Sequence, residues 1–182
     1  MTSDDTRGRF SEVVMPHLDD AFRLARWLTN SHHDAEDVVQ EAMTRAYSGI
    51  SAFGGGSARG WVLTIVRRTC YTWLAKNRPR TLVFSDDLEA VERENASSIE
   101  TFDARSGETP ETALLATEGS GRLAAAIARL PVPFREPLVL RELHGLTYRE
   151  IADIMEMPIG TVMSRLARAR SLLLSFQPGE SS

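Results

Sequence analysis

Residues 147–170 read TYREIADIMEMPIGTVMSRLARAR, two short helical patterns joined by a tight turn, the second studded with arginine. Thr147 and Glu150 have the spacing of a capping box, in which each side chain satisfies a backbone amide of the other residue. Ile151, Ala152, Ile154 and Met155 then supply a face to bury. Pro158 suits the first position of the next helix, where its missing N–H costs no hydrogen bond. Val162, Leu166, Ala169 and Leu173 follow at i, i+4, i+7 and i+11 as one apolar stripe. The opposite face carries Thr161, Ser164, Arg165 and Arg168. Such a helix fits a major groove, its arginines reaching phosphates or guanine edges while small side chains permit close approach. The pattern is that of a DNA-reading helix-turn-helix.

The 182 residues suffice for one domain or two small ones, and a hydrophobic fraction of 42% argues against wholesale disorder. No apolar run approaches the length of a membrane span, and the first residues lack a secretory hydrophobic region. Cys70 is the single cysteine, so no intramolecular disulfide forms and a cytoplasmic location is expected.

The net charge of −4 hides a strong segregation. Residues 59–80 carry six basic and no acidic side chains, whereas 81–121 carry two basic and ten acidic. Two potential nucleic-acid surfaces are thus separated by an acidic tether. Arginine supplies every basic residue except Lys76. That preference suits bidentate phosphate contacts, but a GC-rich genome accounts for it equally.

Apolar periodicity predicts helices over 10–29, over 35–48 with Asp34 as N-cap, and over 61–77, ending before Pro79. Residues 53–60, FGGGSARG, read as a loop, because three consecutive glycines defeat any regular element. Most of 81–121 reads as linker, with a short helical turn in 82–91 and a helix restarting within 110–122. Leu123, Ile127 and Leu130 mark that helix, and another follows over 134–143, stopped by Gly145, with Pro137 in its first turns. The expected fold class is all-α: two small helical bundles joined by an acidic linker, the second containing the helix-turn-helix. The boundaries are 1–80, the linker 81–112, 113–176, and a tail 177–182.

The helix after the glycine loop has two faces. Val62, Val66, Cys70 and Trp73 form an apolar stripe, with Cys70, Trp61 and Trp73 read as packing residues. Thr64, Arg67, Arg68, Tyr71 and Thr72 form a basic stripe with an aromatic in it, the composition that holds a single strand. On the 35–48 helix, Val38 and Ala42 are inward, which leaves Asp37, Gln40, Glu41 and Thr44 on an outward polar face. That face can accept charge-assisted hydrogen bonds from arginines; a plainly solvated acidic face is the alternative.

Three segments in register, DAEDVVQE (34–41), GWVLTIVR (60–67) and LHGLTYREIA (143–152) followed by GTVMSRLARAR (160–170), resemble the extracytoplasmic-function class of bacterial RNA polymerase sigma factors. The resemblance covers nearly the whole chain outside the tether and tails. It implies that Asp37, Gln40, Glu41 and Thr44 dock on core RNA polymerase, at the β′ subunit, with the β subunit a further partner. It implies that the loop Phe53, Gly54, Gly55, Gly56 and Ser57, with Thr64, Arg67, Arg68 and Tyr71, melts and captures the −10 element of promoter DNA. It nominates Thr161, Met163, Ser164, Ala167 and Arg168 as facing the −35 groove, with Arg149 on a phosphate. Arg165 stands between two assignments, a phosphate contact or a pair with Glu150. An anti-sigma factor is the further partner implied.

The chain departs from the family pattern at Arg68 and Thr72, where many members carry Asn and Asp, and at Met163, where many carry a basic residue. Met163 suits a thymine methyl instead of a phosphate. The tether, about 39 residues, spans roughly 35 Å as a flexible coil and about 130 Å extended. Promoter elements about 25 base pairs apart lie roughly 85 Å apart. The net −8 of the tether suits the polymerase's RNA-exit groove, through which the family's linker runs, and suits a plain solubilising linker as well.

Other classes find less support. His32 and His33 point apart and have no companion ligand cluster, so no metal site or cofactor is expected. Gly54–Gly56 lacks the Gly-Lys-Ser/Thr continuation of a nucleotide-binding loop, and no nucleophile–base pair stands out, so catalysis is not expected. A stand-alone helix-turn-helix activator or repressor is the alternative function. It leaves the polar face of 34–41 and the glycine loop with its basic helix unexplained.

Overall fold

Capping signals and proline positions divide the chain into α1 (Ser3–Val13), α2 (Leu18–Thr29), α3 (His32–Gly49) and α4 (Ala58–Asn77), then α5 (Glu118–Arg129), α6 (Val132–Glu142), α7 (Tyr148–Met155) and α8 (Ile159–Ser175). Short 3-10 turns occupy Met15–His17, Ile50–Ala52 and Pro79–Leu82. The computed structural model describes residues 2–82 and 118–176, and no strand occurs among them. The chain is all-α, as expected. Most of the linker, including the turn expected in 82–91 beyond Leu82, lies outside the described residues, as does the tail.

α2, α3 and α4 pack pairwise into the first bundle. α2 buries Ala21, Leu24, Ala25 and Leu28, α3 buries Ala35, Val38, Ala42 and Ala46, and α4 buries Val62, Leu63, Val66 and Cys70. The single helix expected over 10–29 is broken in two. Pro16, with no N–H to continue a helical ladder, opens the 3-10 turn between α1 and α2. The N-cap of α3 is Ser31, whose hydroxyl accepts from the Asp34 amide at 3.2 Å; Asp34 is not the cap. Its carboxylate pairs instead with Arg78, 2.8 Å away.

In the second bundle α6 and α7 pack on α8. The Thr147–Glu150 capping box forms in full. Pro158 sits one position earlier than expected, as N-cap of α8, and Leu172 is buried on its stripe where Leu173 was expected. α6 begins at Val132, so Pro137 lies inside the helix and not in its first turn. Gly145 reverses the chain at φ 65°, a left-handed conformation that glycine adopts without a Cβ clash.

The two bundles also share a face. α2 packs against α6 and α4 against α7, and buried apolar residues of both bundles form one contiguous cluster.

Candidate nucleic-acid interface

Ser57, the last residue of the glycine loop, is the N-cap of α4 and accepts from the Gly60 amide at 3.0 Å. Its role in the loop is therefore structural as well. Gly55 and Gly56 adopt φ of 105° and 86°, conformations that side chains other than glycine's resist, and both are exposed. Phe53 does not extend into solvent: its ring packs on Trp61 at 5.1 Å between centroids. The loop presents backbone, anchored at one end by an aromatic pair and at the other by a helix cap.

Along α4 the two expected faces are present. Val62, Val66 and Cys70 are buried, and burial pushes the Cys70 thiol well above its ordinary range. Arg67 and Tyr71, on the basic stripe, do not face solvent as a free DNA-binding surface would. The Arg67 guanidinium stacks on the Tyr71 ring, 4.4 Å from its centroid, and its Nε donates to Glu136 of α6. The Tyr71 hydroxyl donates to the other oxygen of that carboxylate at 2.5 Å. Burial works against the Arg67 charge, and the Glu136 carboxylate more than restores it. Burial also raises the Glu136 carboxyl above the ordinary glutamate range, against the pull of Arg67 and Tyr71. Arg68, exposed, pairs with Glu156 at the end of α7. Thr64 is half-buried, its hydroxyl donating to the Gly60 carbonyl at 2.7 Å.

On α3, Asp37, Gln40, Glu41 and Thr44 are exposed together on one face, while Val38 and Ala42 point inward. Glu41 pairs with Arg45 one turn on, at 2.5 Å, and the Thr44 hydroxyl donates to the Gln40 carbonyl. An exposed i,i+4 pair of this kind holds little energy and yields readily to a competing partner.

On α8, Met163, Ser164, Ala167 and Arg168 are exposed and Thr161 is half-buried; Arg149 is exposed on α7. Arg165 is half-buried, and its charge acts on Glu136 of α6 and on Tyr71 of α4 in the other bundle. Glu150 is engaged in the capping box.

Sequence reasoning missed the residues that join the bundles. Arg135, 1% exposed, donates to the Trp27 and Leu28 carbonyls of α2 and to the Ala128 and Leu130 carbonyls at the end of α5. One guanidinium thus caps two helix C-termini, where the dipoles favour positive charge. Burial still lowers its pKa to about 9. Asn30, left-handed at φ 54°, donates to the same Ala128 carbonyl at 2.9 Å. Arg59 bonds both Asp20, at 2.8 Å, and the His144 carbonyl, also at 2.8 Å. The signal available was the Arg135-Glu136 pair inside an otherwise apolar run. Charges at that density of hydrophobic neighbours are paired or they do not stay buried.

The family description Sigma-70 region 2 matches residues 13–80, and Sigma-70, region 4 matches residues 120–173. The chain is 39% identical over 141 residues to the ECF RNA polymerase sigma-E factor of Escherichia coli (strain K12), covering 77% of this chain and 72% of that one. It is 37% identical over 148 residues to the ECF RNA polymerase sigma-E factor of Haemophilus influenzae, covering 79% of this chain and 74% of that one. Its fold is similar to that of the sigma factor RpoE of Bartonella quintana, solved in complex with the anti-sigma factor NepR, with a TM-score of 0.63 at 24% identity over 93% of this chain and 98% of that one.

Proposed function

The chain belongs to the extracytoplasmic-function class of RNA polymerase sigma factors and is an alternative sigma factor; we propose that its three polar surfaces divide the work of initiation. Asp37, Gln40, Glu41 and Thr44 dock the core enzyme at β′, with β contacting the rest of the bound chain. The loop 53–57 and the α4 stripe of Thr64, Arg67, Arg68 and Tyr71 take the unpaired strand of the −10 element. α8 enters the major groove of the −35 element through Thr161, Met163, Ser164, Ala167 and Arg168, with Arg149 on the backbone. The polymerase supplies the catalysis; this chain supplies position and strand capture, with residues 1–80 and 113–176 as its working units and 81–112 between them.

The observation that supports this most is α4 itself. It carries an arginine–tyrosine stack and a second arginine on the face opposite its core stripe, directly after a loop whose exposed glycines offer backbone. Guanidiniums bind phosphates and the aromatic offers a stacking surface, a combination suited to single strands. An anti-sigma factor that holds the two bundles together fits the resemblance to the Bartonella quintana protein, which was solved with one. Among the described residues no helix is long and apolar enough to cross a membrane, and the proposed location is the cytoplasm, where the promoters are.

Run-off transcription with purified core enzyme over a promoter library tests the reading. A small set of promoters sharing a −10 and a −35 element should be transcribed only when the chain is added. Tight binding to palindromic DNA without polymerase, and no added transcription, would favour the stand-alone regulator.

A further inference from the structure

We infer that Arg9, on α1, is a positioning residue for the strand-capturing loop: its guanidinium fixes the direction in which the backbone of residues 53–56 meets an unpaired base of the −10 element. The inference rests on the reading of 53–57 as that loop, and goes further by giving α1 a part in it. The region 2 match begins at residue 13, so all of α1 except Val13 lies outside it.

α1 contributes little to the core, since none of its residues is buried. It is held against α3 by Phe10, whose ring meets Tyr47 edge-on at 5.3 Å between centroids, and it packs on the 3-10 turn Ile50–Ala52 that leads into the loop. From there the half-buried Arg9 side chain donates from Nη2 to the Phe53 carbonyl. Phe53 is where the chain leaves the turn, its amide still bonded to the Ile50 carbonyl at 3.2 Å and its backbone extended at φ −67° and ψ 105°. The peptide that follows is planar and trans, so its C=O and N–H point in opposite directions. Pinning the Phe53 oxygen toward α1 therefore aims the Gly54 N–H away from α1.

The far end of the loop is fixed by the Ser57 cap, its near end by Arg9 and by the Phe53–Trp61 ring contact. Between these ends, a Cβ on Gly54, Gly55 or Gly56 would meet no other group of the chain within 4 Å. Positive φ accounts for Gly55 and Gly56, but Gly54 is not left-handed and no close approach within the chain requires it. Bare backbone at Gly54 suits the approach of an extruded base, whose polar edge takes a peptide N–H or C=O. Glycine is the costliest residue to order, and a hydrogen bond from a charged donor is about twice as strong as one between neutral groups. One fixed peptide at the start of the loop narrows the orientations that the following glycines sample before a base arrives.

The test uses holoenzyme assembled from core polymerase and the full chain, with a promoter recovered from the run-off library and its single-base variants across the −10 element. Arg9→Ala should lower run-off from the duplex promoter on the order of tenfold, the factor that one hydrogen bond from a charged group carries. The preference for the parental −10 base over its variants should shrink to a similar degree. Arg9→Lys should recover most of both losses, since one ammonium N–H suffices for one carbonyl. Core affinity and the urea unfolding midpoint should stay at parental values, because α1 buries no residue in the core and Arg9 is not on the α3 polar face. Undiminished run-off and −10 preference in Arg9→Ala would overturn the inference. A loss accompanied by weakened core binding or a lowered midpoint would also overturn it, since Arg9 would then act on the bundle as a whole. Deletion of Gly55 and Gly56 separates the two claims. If the deletion abolishes the −10 preference while Arg9→Ala keeps it, the role of Arg9 alone falls; if the deletion also keeps it, the loop reading falls and the inference with it.

Discussion

Arg67 of α4 and Glu136 of α6, 69 residues apart, form an ion pair across the two bundles in which the carboxylate is fully buried and the guanidinium side chain is 13% exposed. The pair joins a residue read as a DNA ligand to one that sequence inspection passed over. The Glu136 carboxylate thus sits where the proposed strand-binding face of α4 lies.

Arg135 is the first test of what holds the bundles together. Arg135→Ala removes a donor from four carbonyls at the ends of α2 and α5, of which only Ala128 keeps a second one, from Asn30. The expected loss is roughly 2–4 kcal/mol in urea unfolding, from carbonyls left without a donor and the cavity the side chain leaves. Arg135→Lys should recover only part, because an ammonium lacks the planar fork that reaches both helix ends.

Acidification should weaken the packing of the two bundles through His144. Its side chain is fully buried against Asp20 and Arg23 of α2 and Arg59 of α4. Nδ1 lies 3.3 Å from Asp20 without hydrogen-bond alignment, and neither ring nitrogen has a hydrogen-bond partner among the described residues. Burial lowers its pKa to about 4 from an ordinary 6.5, outweighing the Asp20 carboxylate. The unfolded chain therefore binds the proton first. His144 contributes its full stability above pH 6.5 and loses it as the pH falls toward 4, about 2–3 kcal/mol over that window. Glu136 acts in the opposite sense, its burial-raised carboxyl favouring the folded form at low pH. Comparison with His144→Asn by urea unfolding at pH 7.5 and 4.5 isolates the histidine: the parent should lose more stability than the variant. Equal losses would remove His144 from the account.

Core docking is tested at Glu41, exposed and only loosely paired with Arg45. Glu41→Arg should weaken association with core polymerase in calorimetric titration while leaving the unfolding midpoint within the range of ordinary surface changes. Unchanged core affinity and full transcription would remove the polar face of α3 from the docking surface.

For the −35 reader, Arg168→Ala should cost on the order of 1–3 kcal/mol of promoter binding if the guanidinium contacts a base edge bidentately. Transcription from promoters dependent on the −35 element should fall, and substitutions at the contacted base pair should cease to matter. A purely solvated Arg168 would leave both unchanged.

Much of the fold was legible because local signals agreed with one another. The capping box at Thr147, the periodicity of α8 and the Gly145 stop each specify backbone geometry within a few residues, and each formed. Errors clustered where two local signals competed. Asp34 and Ser31 both suit an N-cap, and Asp34 has a long-range partner in Arg78 that no local pattern shows. The apolar periodicity of 10–29 runs straight through Pro16, which nevertheless ends the helical ladder. The residues nominated on α3, and Met163, Ser164, Ala167 and Arg168 on α8, are exposed, whereas Thr161 and Arg165 are half-buried. The covering of Arg67 and Tyr71 was not legible, because it depends on Glu136, brought there only by the packing of α2 on α6 and α4 on α7. Long-range electrostatic pairing leaves no period in a sequence.

The measurement that bears most directly on the central claim, that α4 captures the unpaired promoter strand, is permanganate reactivity of thymines near −10 in polymerase complexes formed with the parent and with Arg67→Ala. The variant should form closed complexes as the parent does, since the α3 face and α8 are untouched, yet show little thymine reactivity on duplex DNA. A pre-melted bubble template, which removes the unpairing cost, should restore much of its run-off product. Normal thymine reactivity on duplex promoters in the Arg67→Ala complex would contradict the account.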